Sequence, residues 1–288
     1  SFGKSLLEKS PRLMRDYSQI EFFKKLTLKK EEYVRIAEKS KKNNTVFFSS
    51  VFDEESLALL EELNTPLYKI ASSEVTNEPL LEMIGKTGKP VIMSTGICTQ
   101  EEIARAIAIL KENGTPDIIL LHCVSLYPLP PERVNLRRII SLRERFQLEV
   151  GFSDHSPDFQ AVEAAAALGA RVFEKHFKLA SDFECPDSSV SLSPKEFTAM
   201  RENCYRIAGM LGDGEINYDN HQKDVANSAR RSLYAKKRIS GGKIIEPDDI
   251  IAKRPGVGLS PSRMREIIGK TALVDIEEDS LLRMEYFS

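Results

Sequence analysis

No apolar run in this chain is long enough to cross a bilayer. The opening stretch, Ser1 to Arg12, is too polar to read as a signal peptide. Neither sign of charge dominates. The 41 Lys and Arg against 43 Asp and Glu leave a net −2, with a pI near 6.2, so no basic field marks a nucleic-acid partner. The four cysteines, Cys98, Cys123, Cys185 and Cys204, lack the paired spacing of a zinc site and fit a reduced, cytoplasmic setting. No Gly-x-Gly-x-x-Gly turn follows an apolar run, which weighs against a dinucleotide-binding fold. Histidine is scarce too, at four residues.

What is present is regular. From Leu26 to Leu211 short apolar runs alternate with helical stretches. The runs are Val46–Ser49, Tyr68–Ala71, Val91–Ser94, Ile118–His122, Leu148–Phe152 and Val172–His176. Helices are expected at about Lys30–Asn43, Glu54–Leu63, Glu78–Lys86, Gln100–Asn113, Pro131–Glu144, Asp158–Leu168 and Pro194–Leu211. Strand–helix alternation without a period of two points to a parallel sheet buried on both faces. Six strands can be counted where a closed barrel needs eight. Ser1–Gln19 carries no strand, and Ser18–Phe23 reads as a loop or the approach to a helix. The expected fold is therefore α/β: a (β/α)8 TIM-type barrel over residues 1–212, its first two strand–helix units absent from this chain. An open, doubly wound six-stranded sheet is the alternative on pattern alone. After Leu211 the character changes, with a linker expected at 213–230 and a small β-rich module at 231–288, one helix near Ser262–Ile268. A module of that size is marginal alone, so docking on another domain or subunit is expected.

Polar chemistry collects where the apolar runs end. In chain order these ends carry Ser49-Ser50, Lys69 with Ser72-Ser73-Glu74, Ser94-Thr95-Gly96, His122 with Ser125 and Tyr127, Ser153-Asp154-His155, and Glu174-Lys175-His176. In a barrel this rim is where sites are built. His155 and His176 end successive runs joined by one helix, so both imidazoles can face one pocket and share a divalent metal. Hydroxyls with a lysine suit a phosphate. Metal and phosphate sites on one rim imply a phosphorylated substrate reacting at a carbonyl. Plainer readings cover other residues. His122 lies within an apolar run and reads as structural, and His221 falls in the linker and reads as solvated. Ser156 before Pro157 reads as a helix N-cap, and Thr99 with Glu102 as a capping box. Lys69, charged within a strand, needs a partner. Arg230-Arg231 and Lys236-Lys237-Arg238 read as a solvated face, and Cys185 is assigned no chemistry.

With those residues in view, the chain resembles the N-acetylneuraminate (sialic acid) synthase family, which includes pseudaminic acid, legionaminic acid and spore-coat polysaccharide enzymes. The carrying motifs are Tyr68-Lys69-Ile70-Ala71-Ser72-Ser73-Glu74, Lys89-Pro90-Val91-Ile92-Met93-Ser94-Thr95-Gly96, His122-Cys123-Val124-Ser125-Leu126-Tyr127-Pro128, Gly151-Phe152-Ser153-Asp154-His155 and Glu174-Lys175-His176-Phe177. Pro186-Asp187-Ser188 and Lys253-Arg254-Pro255-Gly256 complete the set, in family order. Pro186-Asp187-Ser188-Ser189 leans toward the pseudaminic type.

The resemblance implies a (β/α)8 synthase barrel with a C-terminal antifreeze-like (SAF) β-clip domain, in a domain-swapped homodimer. It implies condensation of phosphoenolpyruvate with an N-acetylated amino sugar, N-acetylmannosamine or a diacetamido-trideoxyhexose, giving a nine-carbon 2-keto acid and phosphate. By match, His155 and His176 ligate Mn2+, or else Mg2+ or Co2+. Ser50, Lys69, Ser72, Ser94 and Ser153 hold phosphoenolpyruvate. Ser125, Tyr127 and Asp187 face the sugar, and Arg254 from the other subunit meets its N-acetyl group. Glu74 and Glu174 are candidates for proton transfer or support, and Lys69 for stabilising the departing phosphate. Members normally begin with strands bearing Glu-x-Gly-x-Asn-His-x-Gly and Lys-x-Gln motifs, and neither occurs here. Either the chain is a fragment or the front was lost, and little or no synthase activity is expected if the chain is the whole protein. Competing readings are a metal-dependent aldolase or another phosphoenolpyruvate aldol synthase on the same barrel, and a non-catalytic carbohydrate-binding remnant.

Overall fold

The computed structural model describes residue 24 and residues 26–288, so the readings of Ser1–Gln19 and Ser18–Phe23 fall outside the described residues. The chain forms two compact units, one ending at Gly212 and one running from Asp213 to Ser288.

Among the described residues, the first unit is built on five parallel strands: β1 (Tyr68–Ile70), β2 (Val91–Ser94), β3 (Ile118–Cys123), β4 (Glu149–Asp154) and β5 (Phe173–Lys175). Their order in the sheet is their order in the chain. A doubly wound sheet reverses direction at a switch point, whereas a barrel adds each strand beside the last, so the alternative fold is excluded. A parallel bridge from Ser50 to Lys69 extends the sheet before β1, and one from Phe177 to Leu192 extends it beyond β5. The run expected as a strand at Val46–Ser49 pairs at its end only: Val51 N donates to Lys69 O and Lys69 N to Ser49 O, each at 3.1 Å.

Seven helices of this unit are α1 (Lys30–Lys42), α2 (Glu54–Glu62), α3 (Glu78–Lys86), α4 (Gln100–Glu112), α5 (Arg137–Phe146), α6 (Gln160–Ala167) and α7 (Pro194–Met210). The core lies between them and the outer face of the sheet. Tyr68, Ile70, Met93, Leu120 and Phe152 from the strands are fully buried with Leu81, Ile84, Leu110 and Ile139 from the helices. Each contributes roughly 1.5–3 kcal/mol by leaving water. α4 starts at the expected capping box, with Thr99 Oγ1 accepting from Glu102 N at 3.2 Å and Thr99 N donating to Glu102 Oε2 at 2.7 Å.

Two local expectations are corrected. The helix expected at Pro131–Glu144 is a single 3₁₀ turn, Pro131–Arg133, followed by α5, because Asn135 between them takes a left-handed conformation (φ 50°) that no helix continues through. Ser156 does not cap α6. Its hydroxyl donates to Asp154 Oδ2 at 2.7 Å and is thereby taken from the helix, and Asp158 Oδ1 accepts from Gln160 N instead.

In the second unit, the expected linker holds helix α8 (Asn220–Ala229), begun by Asp219 Oδ1 accepting from Gln222 N at 3.0 Å. His221 lies exposed on it. β6 (Ser232–Ala235) pairs antiparallel with β7 (Ile250–Lys253), and isolated bridges such as Ile239 to Ile276 and Ala272 to Phe287 close a small β-rich body around Leu233, Ile239, Ile245 and Leu282. A 3₁₀ turn at Pro261–Arg263 leads into the short α9 (Met264–Ile267), close to the expected helix. Among the described residues, no helix is long and apolar enough to cross a membrane.

Candidate active site

Successive strand residues point to opposite faces, and the alternation sorts the polar ones. Lys69 Nζ, on β1, donates to Ser94 Oγ of β2 at 2.7 Å and lies 3.5 Å from Glu174 Oε2 of β5. A contact between the first and the fifth strand requires that the sheet curl, so these side chains occupy the concave, barrel-interior face. Ser153 Oγ of β4 joins them by donating to Glu174 Oε1 at 2.6 Å. Burial pushes the Lys69 ammonium pKa down, and the Glu174 carboxylate pulls it partly back. The lysine thus has the partner its charge demanded.

His155 and His176 stand one residue beyond β4 and β5, with ring centroids 5.3 Å apart. His155 Nδ1 is 2.9 Å from the Val124 carbonyl. A carbonyl can only accept, so Nδ1 carries the proton and Nε2 keeps its lone pair. Burial lowers the His155 pKa, which favours that neutral ring. His176 Nδ1 lies 3.4 Å from Asp187 Oδ2. The Tyr127 ring lies over His155, with centroids 4.0 Å apart, and meets His176 edge-on at 5.7 Å. No group of three or more His, Cys, Asp or Glu that could hold a metal occurs among the described residues. Two imidazoles beside a phenol and a carboxylate could instead hold a divalent cation whose remaining positions are open to water and substrate.

Gly96 lies against Ser72, Cys123 and Ser125. A Cβ there would stand 3.0 Å from Cys123 Sγ and 3.3 Å from Ser72 Oγ, and closer still to Ser125 Oγ. These hydroxyls therefore converge on backbone rather than on another side chain. Ser50, half-buried, lies beside Lys69 through the parallel bridge. Glu74 stands apart from these groups. Glu74 sits in a 3₁₀ turn after β1 with its carboxylate engaged by Ser73 Oγ and Asn77 Nδ2, each at 3.0 Å. Arg254 lies exposed in the second unit, just after β7.

Three residues on or behind the site were given no role in the sequence reading. Cys123 is buried on the inner face of β3, 3.9 Å from His155 Nδ1. Parity within β3 would have found it, since His122 faces outward, bonded to Val134 O at 2.7 Å and stacked on Phe152. Asp154 and Lys175 form an ion pair of 2.7 Å with both side chains fully buried. A cavity of about 480 Å³ opens at the other rim, lined by residues such as Ile119, Arg143 and Glu149, and holds none of these groups.

Comparison with known proteins places this arrangement. Residues 5–216 match the NeuB family and residues 230–287 the SAF domain. The N,N'-diacetyllegionaminic acid synthase of Campylobacter jejuni is 39% identical over 93% of this chain and 81% of its own length. A pseudaminic acid synthase of the same species is 42% identical over 89% of this chain and 75% of its own length. The crystal structure of a putative spore coat polysaccharide biosynthesis protein E from Chromobacterium violaceum superposes with a TM-score of 0.82 at 27% identity, covering 97% of this chain and 84% of that one. With its strands wound in barrel order and its polar groups gathered at their C-terminal ends, the chain belongs to the NeuB family, a family of synthases of sialic-acid-type sugars, and carries a C-terminal SAF domain.

Proposed function

We propose that this rim condenses phosphoenolpyruvate with an N-acetylated amino sugar, N-acetylmannosamine or a diacetamido-trideoxyhexose, to give a nine-carbon 2-keto acid and phosphate. The observation that carries the reading is the convergence on one concave face of an imidazole pair, His155 with His176, and a buried ammonium, Lys69, ringed by hydroxyls.

A divalent cation held by His155 and His176, Mn2+ in first place and Mg2+ or Co2+ in its stead, would supply Lewis-acid polarisation of the sugar's open-chain aldehyde. The chain's own groups do the rest. Lys69 with Ser50, Ser72, Ser94 and Ser153 binds phosphoenolpyruvate and balances the charge of the leaving phosphate. A carbon–carbon bond forms between C3 of phosphoenolpyruvate and the aldehyde carbon. Water adds at C2, and the C2–oxygen bond to phosphate breaks. Glu174, bonded to Ser153 and facing Lys69, is placed to take the proton that this water releases. Glu74, held by Ser73 and Asn77, supports the rim. Ser125, Tyr127 and Asp187 orient the sugar beside the imidazoles, which lowers the barrier by positioning. The part of Arg254 in binding the N-acetyl group, from a partner copy in a homodimer, is carried by the family resemblance.

The test is to incubate the full-length protein with Mn2+, phosphoenolpyruvate and each candidate sugar, following phosphate release and product mass. One phosphate per nine-carbon acid supports the reading. Consumption of pyruvate in place of phosphoenolpyruvate would assign an aldolase instead.

A further inference from the structure

Three rungs of polar pairs link the ends of β4 and β5. Ser153 meets Glu174 on the concave face, Asp154 meets Lys175 on the convex face, and His155 meets His176 on the concave face again. The middle rung is unlike the others. Its ion pair is 2.7 Å long and both side chains are fully withdrawn from solvent. Asp154 also accepts from Ser156 N at 3.0 Å and from Ser156 Oγ at 2.7 Å, and Lys175 Nζ donates to Ser156 O as well. A buried pair with its hydrogen bonds met contributes little net stability, but breaking it is costly, and its best-attested use is to fix a register.

We infer that Asp154 and Lys175 are positioning residues, a register lock that brings His155 and His176 opposite one another. Asp154 and Lys175 are Cα partners in the ladder, and each immediately precedes its histidine. A slip of one residue would turn one partner onto the wrong face. A slip of two would set Asp154 against Phe173 or Phe177 and leave two charges buried unpaired. Only the register that satisfies the pair aligns the two imidazoles. The inference rests on the proposed cation site at these rings.

The test is Mn2+ binding to the full-length protein by electron paramagnetic resonance titration, with folding followed by circular dichroism. Lys175→Met is expected to weaken Mn2+ binding about 10–100-fold, the range for residues that orient metal ligands, and Lys175→Arg to restore most of it. Should Lys175→Met not fold, the double variant Asp154→Asn with Lys175→Met, which buries no charge, decides on the same readout and is expected to show the same loss. Unaltered Mn2+ affinity in either folded variant would assign the pair to stability alone and overturn the inference. Failure of the parent protein to bind Mn2+, or equal binding by His155→Ala, would overturn the cation site itself and the lock with it.

Discussion

At the scale of single residues, the informative groups are those whose charge or nucleophilicity the fold alters. Lys69 is nearly buried, and its counter-charge, Glu174, is partly open to solvent. Replacing Lys69 with Met therefore leaves a carboxylate that water can solvate, so the chain should fold while losing the cation that, in the proposed reaction, faces the leaving phosphate. A fall in kcat of about 10²–10³-fold in the phosphate-release assay is expected, comparable to removing one preorganised stabilising donor. Cys98 makes the opposite case. Burial pushes its thiol up to about 11, helped by Glu102. At pH 8 its thiolate is roughly a hundredfold rarer than that of a free cysteine, and the greater nucleophilicity of a more basic thiolate returns about tenfold. Labelling by a disulfide reagent followed by peptide mapping should find Cys98 about tenfold slower than a peptide cysteine, and labelling as fast as the peptide would contradict this. Lys69 was legible in the sequence because a charge inside an apolar run has few explanations. Asp154 and Lys175 were not, because a polar residue in a strand does not announce which face it takes until the neighbouring strands are in place.

At the scale of elements, β-branched and aromatic runs between helical stretches marked the strands β1 to β5 to within a residue or two. The run at Val46–Ser49 was legible as apolar but not as weakly paired, since pairing belongs to the neighbour and not to the run. α4 was legible to its first residue because its start is encoded locally. Thr99→Ala removes the hydroxyl that accepts from Glu102 N and should lower unfolding free energy by about 1 kcal/mol in urea titration. The close approach of β4 to β5 was not legible. A Cβ on Gly151 would overlap the Val172 carbonyl oxygen and stand 2.7 Å from Leu121 Cδ2. Backbone cannot yield as a side-chain end can, so Gly151→Ala should push the strands apart at a cost of about 1–3 kcal/mol. Because the imidazoles sit at the ends of those same strands, the variant should also bind Mn2+ more weakly. A stability loss with Mn2+ affinity intact would mean that the strands yield without moving their ends.

At the scale of the whole molecule, chain order within the sheet is what separates a barrel from a doubly wound sheet. Periodicity cannot report it, because both folds alternate strand and helix. The same order places both imidazoles and Lys69 in the first unit, whose core shares no residue with the core of the second. Binding of the proposed cation would then be linked to the folding of the first unit. A ligand that binds the native state alone at 100 times its Kd adds about 2.7 kcal/mol to the unit that holds it. Calorimetry of the full-length protein, stripped with a chelator and then resupplied with Mn2+, should show the transition of the first unit rising with Mn2+ concentration. Phosphate release should be lost and regained over the same titration. His176→Ala removes one of the two nitrogens of the proposed cation site without opening the core, since that ring is partly exposed. It should therefore leave the stripped transition in place while abolishing the Mn2+ shift. A shift that persisted in His176→Ala would locate the cation elsewhere in the chain and detach it from the rim on which the proposed chemistry depends.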